Sequence, residues 1–183
     1  SFTSEFNGSH AVDVLAARPQ MVIFWAGYSF SREYNSPRGH KHAIEDMRAI
    51  LRTGNPGIDG EGDIQPATCW TCKGPDVPRM MHEMGIANFY KAPWSQLGAE
   101  IMNPIGCGDC HDPNTMDLKI TRPALIEAFQ RQGKDITKAT QQEMRSLVCA
   151  QCHVEYYFKG EGKYLPFPWD KGMTMEDAEA YYD

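Results

Sequence analysis

The chain has 183 residues, of which 42% are hydrophobic, and a formal charge of −6. That apolar content suffices for one packed domain, or for one and part of another, while the acidic balance excludes the basic stripe of a nucleic-acid binder. No run nears the roughly 18 apolar residues of a membrane span, and Ser1 opens the sequence without a basic-then-apolar leader, as an exported chain would once its leader is removed.

Residues 1–37 are mixed and aromatic-rich, and the apolar run Met21 to Tyr28 reads as a buried strand or short helix. From His40 onward Ala43, Ile44, Met47, Ile50 and Leu51 recur at steps of three and four, predicting a helix that Gly54 stops. Residues 55–66 are a loop by their Gly, Asp and Pro content. A short helix is expected over 78–84, and a clear one from Thr121 to Gln132, with Thr121 as N-cap, Pro123 in the first turn and Gly133 as the stop. A third starts at Thr140, which has capping-box spacing to Glu143, and runs through Met144, Leu147 and Val148 into Cys149. Thr174 and Asp177 announce a last helix that stops at Asp183 after about two turns, too short to be stable alone, so the chain reads as cut rather than finished. Alternating stretches are few. The expected fold class is mainly α with long loops and little sheet.

The six cysteines form three C-x-x-C pairs with none left over. Two pairs read Cys107-Gly-Asp-Cys110-His111 and Cys149-Ala-Gln-Cys152-His153. C-x-x-C-H is the signature of covalent haem c: two thiols spaced to reach two vinyl groups of one porphyrin, then an imidazole placed to ligate its iron. The remaining pair, Cys69-Trp70-Thr71-Cys72-Lys73, has lysine where histidine is expected. Zinc is the rival reading, but zinc pairs lie about 15–20 residues apart, and here the first cysteines of successive pairs are 38 and 42 apart. Three haem sites are therefore expected, with Lys73 as the axial ligand of the first. An amine must shed its proton to bind iron, and the metal bond itself drives that loss. Because the axial ligand is one of the protein's few levers on haem reactivity, this haem reads as the one that does chemistry. Among the other histidines, His40 is the best candidate for a distal ligand, since Gly39 beside it allows a ring to approach closely; the bland alternative is a solvated histidine at a helix start. His10 and His82 read as surface or core histidines.

The order C-W-T-C-K, C-G-D-C-H, C-A-Q-C-H-V-E-Y-Y, with R-G-H and L-R-T-G upstream, closely resembles pentahaem cytochrome c nitrite reductase. The resemblance runs from about Tyr34 to Tyr157 and implies a multihaem cytochrome c architecture organised around covalent haems. It also implies periplasmic reduction of nitrite to ammonium, a six-electron reaction at the lysine-ligated haem, with electrons relayed by bis-histidine haems. Lys73 then corresponds to the proximal lysine, Arg52 to the distal arginine that holds the anion, Tyr156 to the distal tyrosine, and His40 to the distal ligand of the third haem. Glu155 corresponds to a calcium ligand, with the Tyr156 carbonyl as another. Without the family, Arg52 would read as a surface arginine closing a helix C-terminus, and Val154 to Phe158 as core aromatics beside a solvated acid.

The family has five haems, and its distal histidine, further calcium ligands and the partner imidazole of the second haem lie beyond the third motif. Residues 1–183 are therefore expected to be the N-terminal part of a longer catalytic subunit. The implied partners are nitrite, a redox donor of quinol-dehydrogenase type or a small cytochrome, and a second copy met through the missing C-terminal part, with membrane association only through a partner. The alternatives are an electron-transfer cytochrome with no substrate of its own, and a related reductase of hydroxylamine or sulfur oxyanions.

Overall fold

A computed structural model describes residues 14–20, 40–49 and 65–183. Among the described residues there are eight α-helices: α1 Val14–Ala17, α2 Ala43–Ala49, α3 Asp76–Met84, α4 Ile86–Lys91, α5 Trp94–Gly98, α6 Pro123–Arg131, α7 Gln141–Ala150 and α8 Met175–Tyr182. Extended pairing within them is limited to three isolated bridges, Pro66 with Pro93, His111 with Leu118 and Lys159 with Tyr164. The architecture is mainly helical with long loops, as expected. The expectations for Met21 to Tyr28, for Ile50 through Gly54, for most of the 55–66 loop and for His10 lie outside the described residues.

Hydrophobic burial organises the fold around two stacked tryptophans. Trp70 and Trp94 have ring centroids 4.5 Å apart, and the Trp70 indole N–H donates to the Trp94 carbonyl at 3.0 Å. Gly98 lies against Trp70, where an added Cβ would come within 3.1 Å of the ring, and the Arg48 guanidinium of α2 stands 6.0 Å from its centroid. Arg48 also donates to the carbonyls of Gly98 and Ile101. Backbone bonds Ala67 N to Ala92 O (2.9 Å) and Trp94 N to Gln65 O (3.1 Å) close the Pro66–Pro93 bridge beneath the pair. The core thus grips the first cysteine motif through its own middle residue, Trp70.

Helix α3 begins two residues before the expected start. Pro78 falls in its first turn, where its missing N–H is no loss. Helix α6 has Pro123 at its first position and stops at Gly133, whose φ is +70°. Its cap is Arg122 rather than Thr121. The Thr121 hydroxyl is engaged elsewhere, on Asp109 O at 3.2 Å and Gln151 Oε1 at 3.1 Å, and this tertiary tether displaces the local cap. The Thr140/Glu143 and Thr174/Asp177 capping boxes both form. Helices α4 and α5 were not expected; at six and five residues they are too short for a periodic signal, and tertiary packing of Phe89, Tyr90, Trp94 and Leu97 holds them.

Candidate haem-binding site

The first two cysteine pairs sit on 3-10 turns, and the third straddles the C-terminal end of α7. The first occupies a 3-10 turn, Ala67–Cys72, which ends as Lys73 turns extended and donates its N–H to Trp70 O at 2.8 Å. Gly74 follows at φ +72°, and a Cβ there would overlap the Asn103 carbonyl oxygen. This is a left-handed position that only glycine fills without strain. The second and third pairs share a different geometry. His111 N donates to Cys107 O at 2.8 Å, and His153 N to Cys149 O at 2.9 Å. Lys73 bonds three residues back and the histidines four, so the backbone leaves the first pair differently from the other two.

His111 is oriented by a partner that has no signature in the sequence. Its Nδ1 lies 2.7 Å from the Met116 carbonyl oxygen, and Met116 adopts the left-handed conformation, φ +63°. A carbonyl at Nδ1 fixes the tautomer that leaves Nε2 available to a metal. The His111 ring borders an open hollow of about 970 Å³, with Met116, Leu118, Met144 and Arg145 among its walls.

The other sites converge. A single cavity of about 400 Å³ is lined by Cys69, Cys72, Lys73, Cys110, Cys149, Cys152, His153, His40 and Tyr156. Five of the six cysteines and the expected ligands Lys73, His40 and His153 therefore face one space. None of the six cysteines is in a disulfide. The His40 and His153 rings lie 5.9 Å apart with planes inclined at 34°. One metal held between two imidazoles at bonds of roughly 2 Å needs about this separation. The donor set fits covalent haem.

The thiols of different pairs also interact. A hydrogen bond with Cys152 lowers the pKa of the Cys72 thiol, against the opposing effect of burial, and the Lys73 and Arg122 charges add to the fall. The same contact, followed by burial, pushes Cys152 up. Cys110 is raised by burial first, then by Asp109 and Cys149.

Tyr156 is 40% exposed at the cavity edge, with its ring 5.9 Å from that of Phe158. Glu155 is exposed and lies beside Tyr182, whose hydroxyl is raised by burial and then by the Glu155 carboxylate. Among the described residues no group of three or more His, Cys, Asp or Glu side chains is placed to hold a metal ion. Arg52 lies outside the described residues. His82, exposed on α3, stays apart from the cavity, as its surface reading implies.

Sequence reasoning passed over Arg122, Asp109 and Gln151, all buried and all on the cavity wall. A signal was available for two of them: Asp109 and Gln151 are polar residues at the same position of their cysteine pairs.

The family described as cytochrome c552 matches residues 1–183. A cytochrome c-552 of Porphyromonas gingivalis is 78% identical over 183 residues, covering all of this chain and 37% of that protein. One from Parabacteroides distasonis is 74% identical over the same length, again covering 37% of the relative. A solved structure from Desulfovibrio desulfuricans superposes with a TM-score of 0.72 at 40% identity, over 86% of this chain and 34% of that one. It is the catalytic subunit of a cytochrome c nitrite reductase, described with two calcium sites. The chain thus spans a little over a third of the length of the curated relatives it matches.

Proposed function

The chain belongs to the cytochrome c552 family, and on that premise we propose that it is the N-terminal part of a periplasmic nitrite reductase that forms ammonium and carries three of the subunit's covalent haems. The observation that carries this reading is the shared cavity into which Lys73, Tyr156, His40, His153 and five attachment cysteines all face. No helix of the described residues is long and apolar enough to cross a membrane.

Cys69/Cys72, Cys107/Cys110 and Cys149/Cys152 would hold the haems, with Lys73, His111 and His153 as proximal ligands and His40 opposite His153. Bound haem supplies an open iron position for nitrite and the path for its electrons. One nitrite, six electrons and eight protons give one ammonium and two waters, the electrons coming from a redox donor protein. Lys73 would hold the first haem from a loop locked by Gly74 and Trp70. Arg52 binds the anion by charge-assisted hydrogen bonds. Tyr156, at the cavity edge, orients the substrate and donates hydrogen bonds or protons to it. Glu155 and the Tyr156 carbonyl would join calcium ligands from outside these residues, and the dimer contact would also lie there.

The test is made on the full-length protein. Haem staining with mass measurement should find haem at all three pairs, and added nitrite should perturb a high-spin absorption band. Arg52→Ala should lower ammonium formation from nitrite by about a hundredfold or more, as loss of a transition-state hydrogen bond does, with haem content unchanged. A spectrum blind to nitrite and to cyanide would favour a pure electron-transfer cytochrome, and equal turnover would remove Arg52 from the reaction.

A further inference from the structure

We infer that Arg122 is a positioning residue that locks the three cysteine-pair loops, and Lys73 with them, into one mutual geometry. The inference rests on the haem reading above.

The second intervening residue of each pair is Thr71, Asp109 or Gln151. All three are buried, and so is Arg122, at 1% exposure. On the first loop the Arg122 Nε donates to Thr71 O at 2.6 Å and Nη2 to Gly74 O at 2.9 Å. These carbonyls flank Cys72 and Lys73, so one guanidinium pins the lysine's backbone on both sides. On the second loop Nη2 meets Asp109 Oδ1 at 2.6 Å. The third loop is reached through the backbone: Gln151 Oε1 accepts from Arg122 N at 3.2 Å and from Thr121 N at 3.0 Å. Gln151 Nε2 closes the ring by donating to Asp109 O at 2.8 Å.

No other chemistry fits as well. A planar fork with fixed donor directions serves acceptors on separate loops in one set geometry, which the freely rotating ammonium of lysine does not impose. Pro123 after Arg122 holds its backbone extended, so the fork projects from a stiff base. The pairs lie 38 and 42 residues apart in sequence. Without a common tie, each loop would follow its own helix. With it, the attachment points, and the spacing of whatever they carry, become one quantity.

The experiment uses the full-length, haem-loaded protein and three variants. Arg122→Lys keeps the charge but loses the fork. Gln151→Met cuts the third loop's tie while leaving the ion pair with Asp109 intact. Arg131→Met is the control, since Arg131 lies at the far end of α6 from Arg122 and its loss breaks only peripheral contacts, chiefly the ion pair with the loop residue Asp170. Readouts are covalent haem per chain by mass, reduction midpoints by spectroelectrochemistry, and the high-spin resonance signal. Arg122→Lys should keep its haems yet shift the midpoints of both histidine-ligated haems and diminish the high-spin signal. Gln151→Met should shift the Cys149/Cys152 haem against the other two. Arg131→Met should move no midpoint. Midpoints and signal unchanged in Arg122→Lys overturn the inference. Should that variant not fold, unchanged midpoints in Gln151→Met overturn it equally. If the wild type itself lacks a nitrite-responsive haem, the reductase reading fails, and Arg122 is judged on the two histidine-ligated midpoints alone.

Discussion

Gly74 occupies a left-handed position directly after Lys73, with the Asn103 carbonyl where a side chain would begin. Gly74→Ala should therefore cost more than about 1 kcal/mol, since an alanine at positive φ destabilises by more than the entropy it saves. Because the strain falls one residue from Lys73, the variant should also weaken the nitrite-induced spectral change. Thermal unfolding together with a nitrite titration of the full-length protein checks both, and an alanine variant equal to wild type in the two would show that this turn does not fix the lysine. The cysteine pair and the lysine after it are a local pattern, visible as soon as the sequence is read. The loop's mechanical support is not. Trp70 sits between the two cysteines and reads as an arbitrary spacer until its stacking on Trp94 appears. Met116 is similar: what it offers His111 is a backbone carbonyl, which any residue possesses.

Helix α3 is tied to the segment after α5 by one carboxylate. Asp76 accepts from Met102 N at 3.0 Å, from Asn103 N at 2.9 Å and from Asn103 Nδ2 at 2.9 Å. Burial pushes its pKa up, but the Asn103 amides, the Met102 N–H and the Arg79 charge together hold it below the ordinary carboxylate value. The folded-state pKa is thus lower than the unfolded one of about 3.9, so the stabilisation is complete above that pH and is lost as pH falls through the depressed folded value. Asp76→Asn should lower the denaturant midpoint at neutral pH and flatten its decline between about pH 5 and 2. Parallel declines in variant and wild type would refute the assignment. At this scale legibility followed locality. The capping boxes that start α7 and α8, the Pro123 start and the Gly133 stop of α6 are encoded within four residues and were read correctly. Thr121 failed as a cap because its hydroxyl serves Gln151, thirty positions away in sequence, and no local rule registers such a competitor.

Across the whole molecule, the three cysteine pairs could be recognised one by one, but nothing in their spacing said that five of the thiols would face one cavity. The same holds for His40 and His153, which are 113 positions apart in the chain and 5.9 Å apart in space. Their ring gap gives a direct prediction. On the proposed ligation, His40→Ala should turn the haem held by Cys149 and Cys152 in the full-length protein from low-spin to high-spin, read by electron paramagnetic resonance, with its covalent attachment intact; a spectrum that stays low-spin would assign the sixth position to another side chain.

Cys72 and Cys152 belong to different pairs, yet the Cys72 thiol donates to the Cys152 carbonyl at 3.8 Å. Such closeness sets a timetable for maturation. In an oxidising compartment, a chain that closes before its sulfurs are committed to thioether bonds brings together two thiols that an oxidant can join, and such a crosslink would fasten the first loop to the third and bar the porphyrin from both. Cells whose haem-ligation machinery is disabled should accumulate this Cys72–Cys152 species, identifiable by peptide mass mapping. Bonds confined to each C-x-x-C would mean that the loops never meet before they are filled.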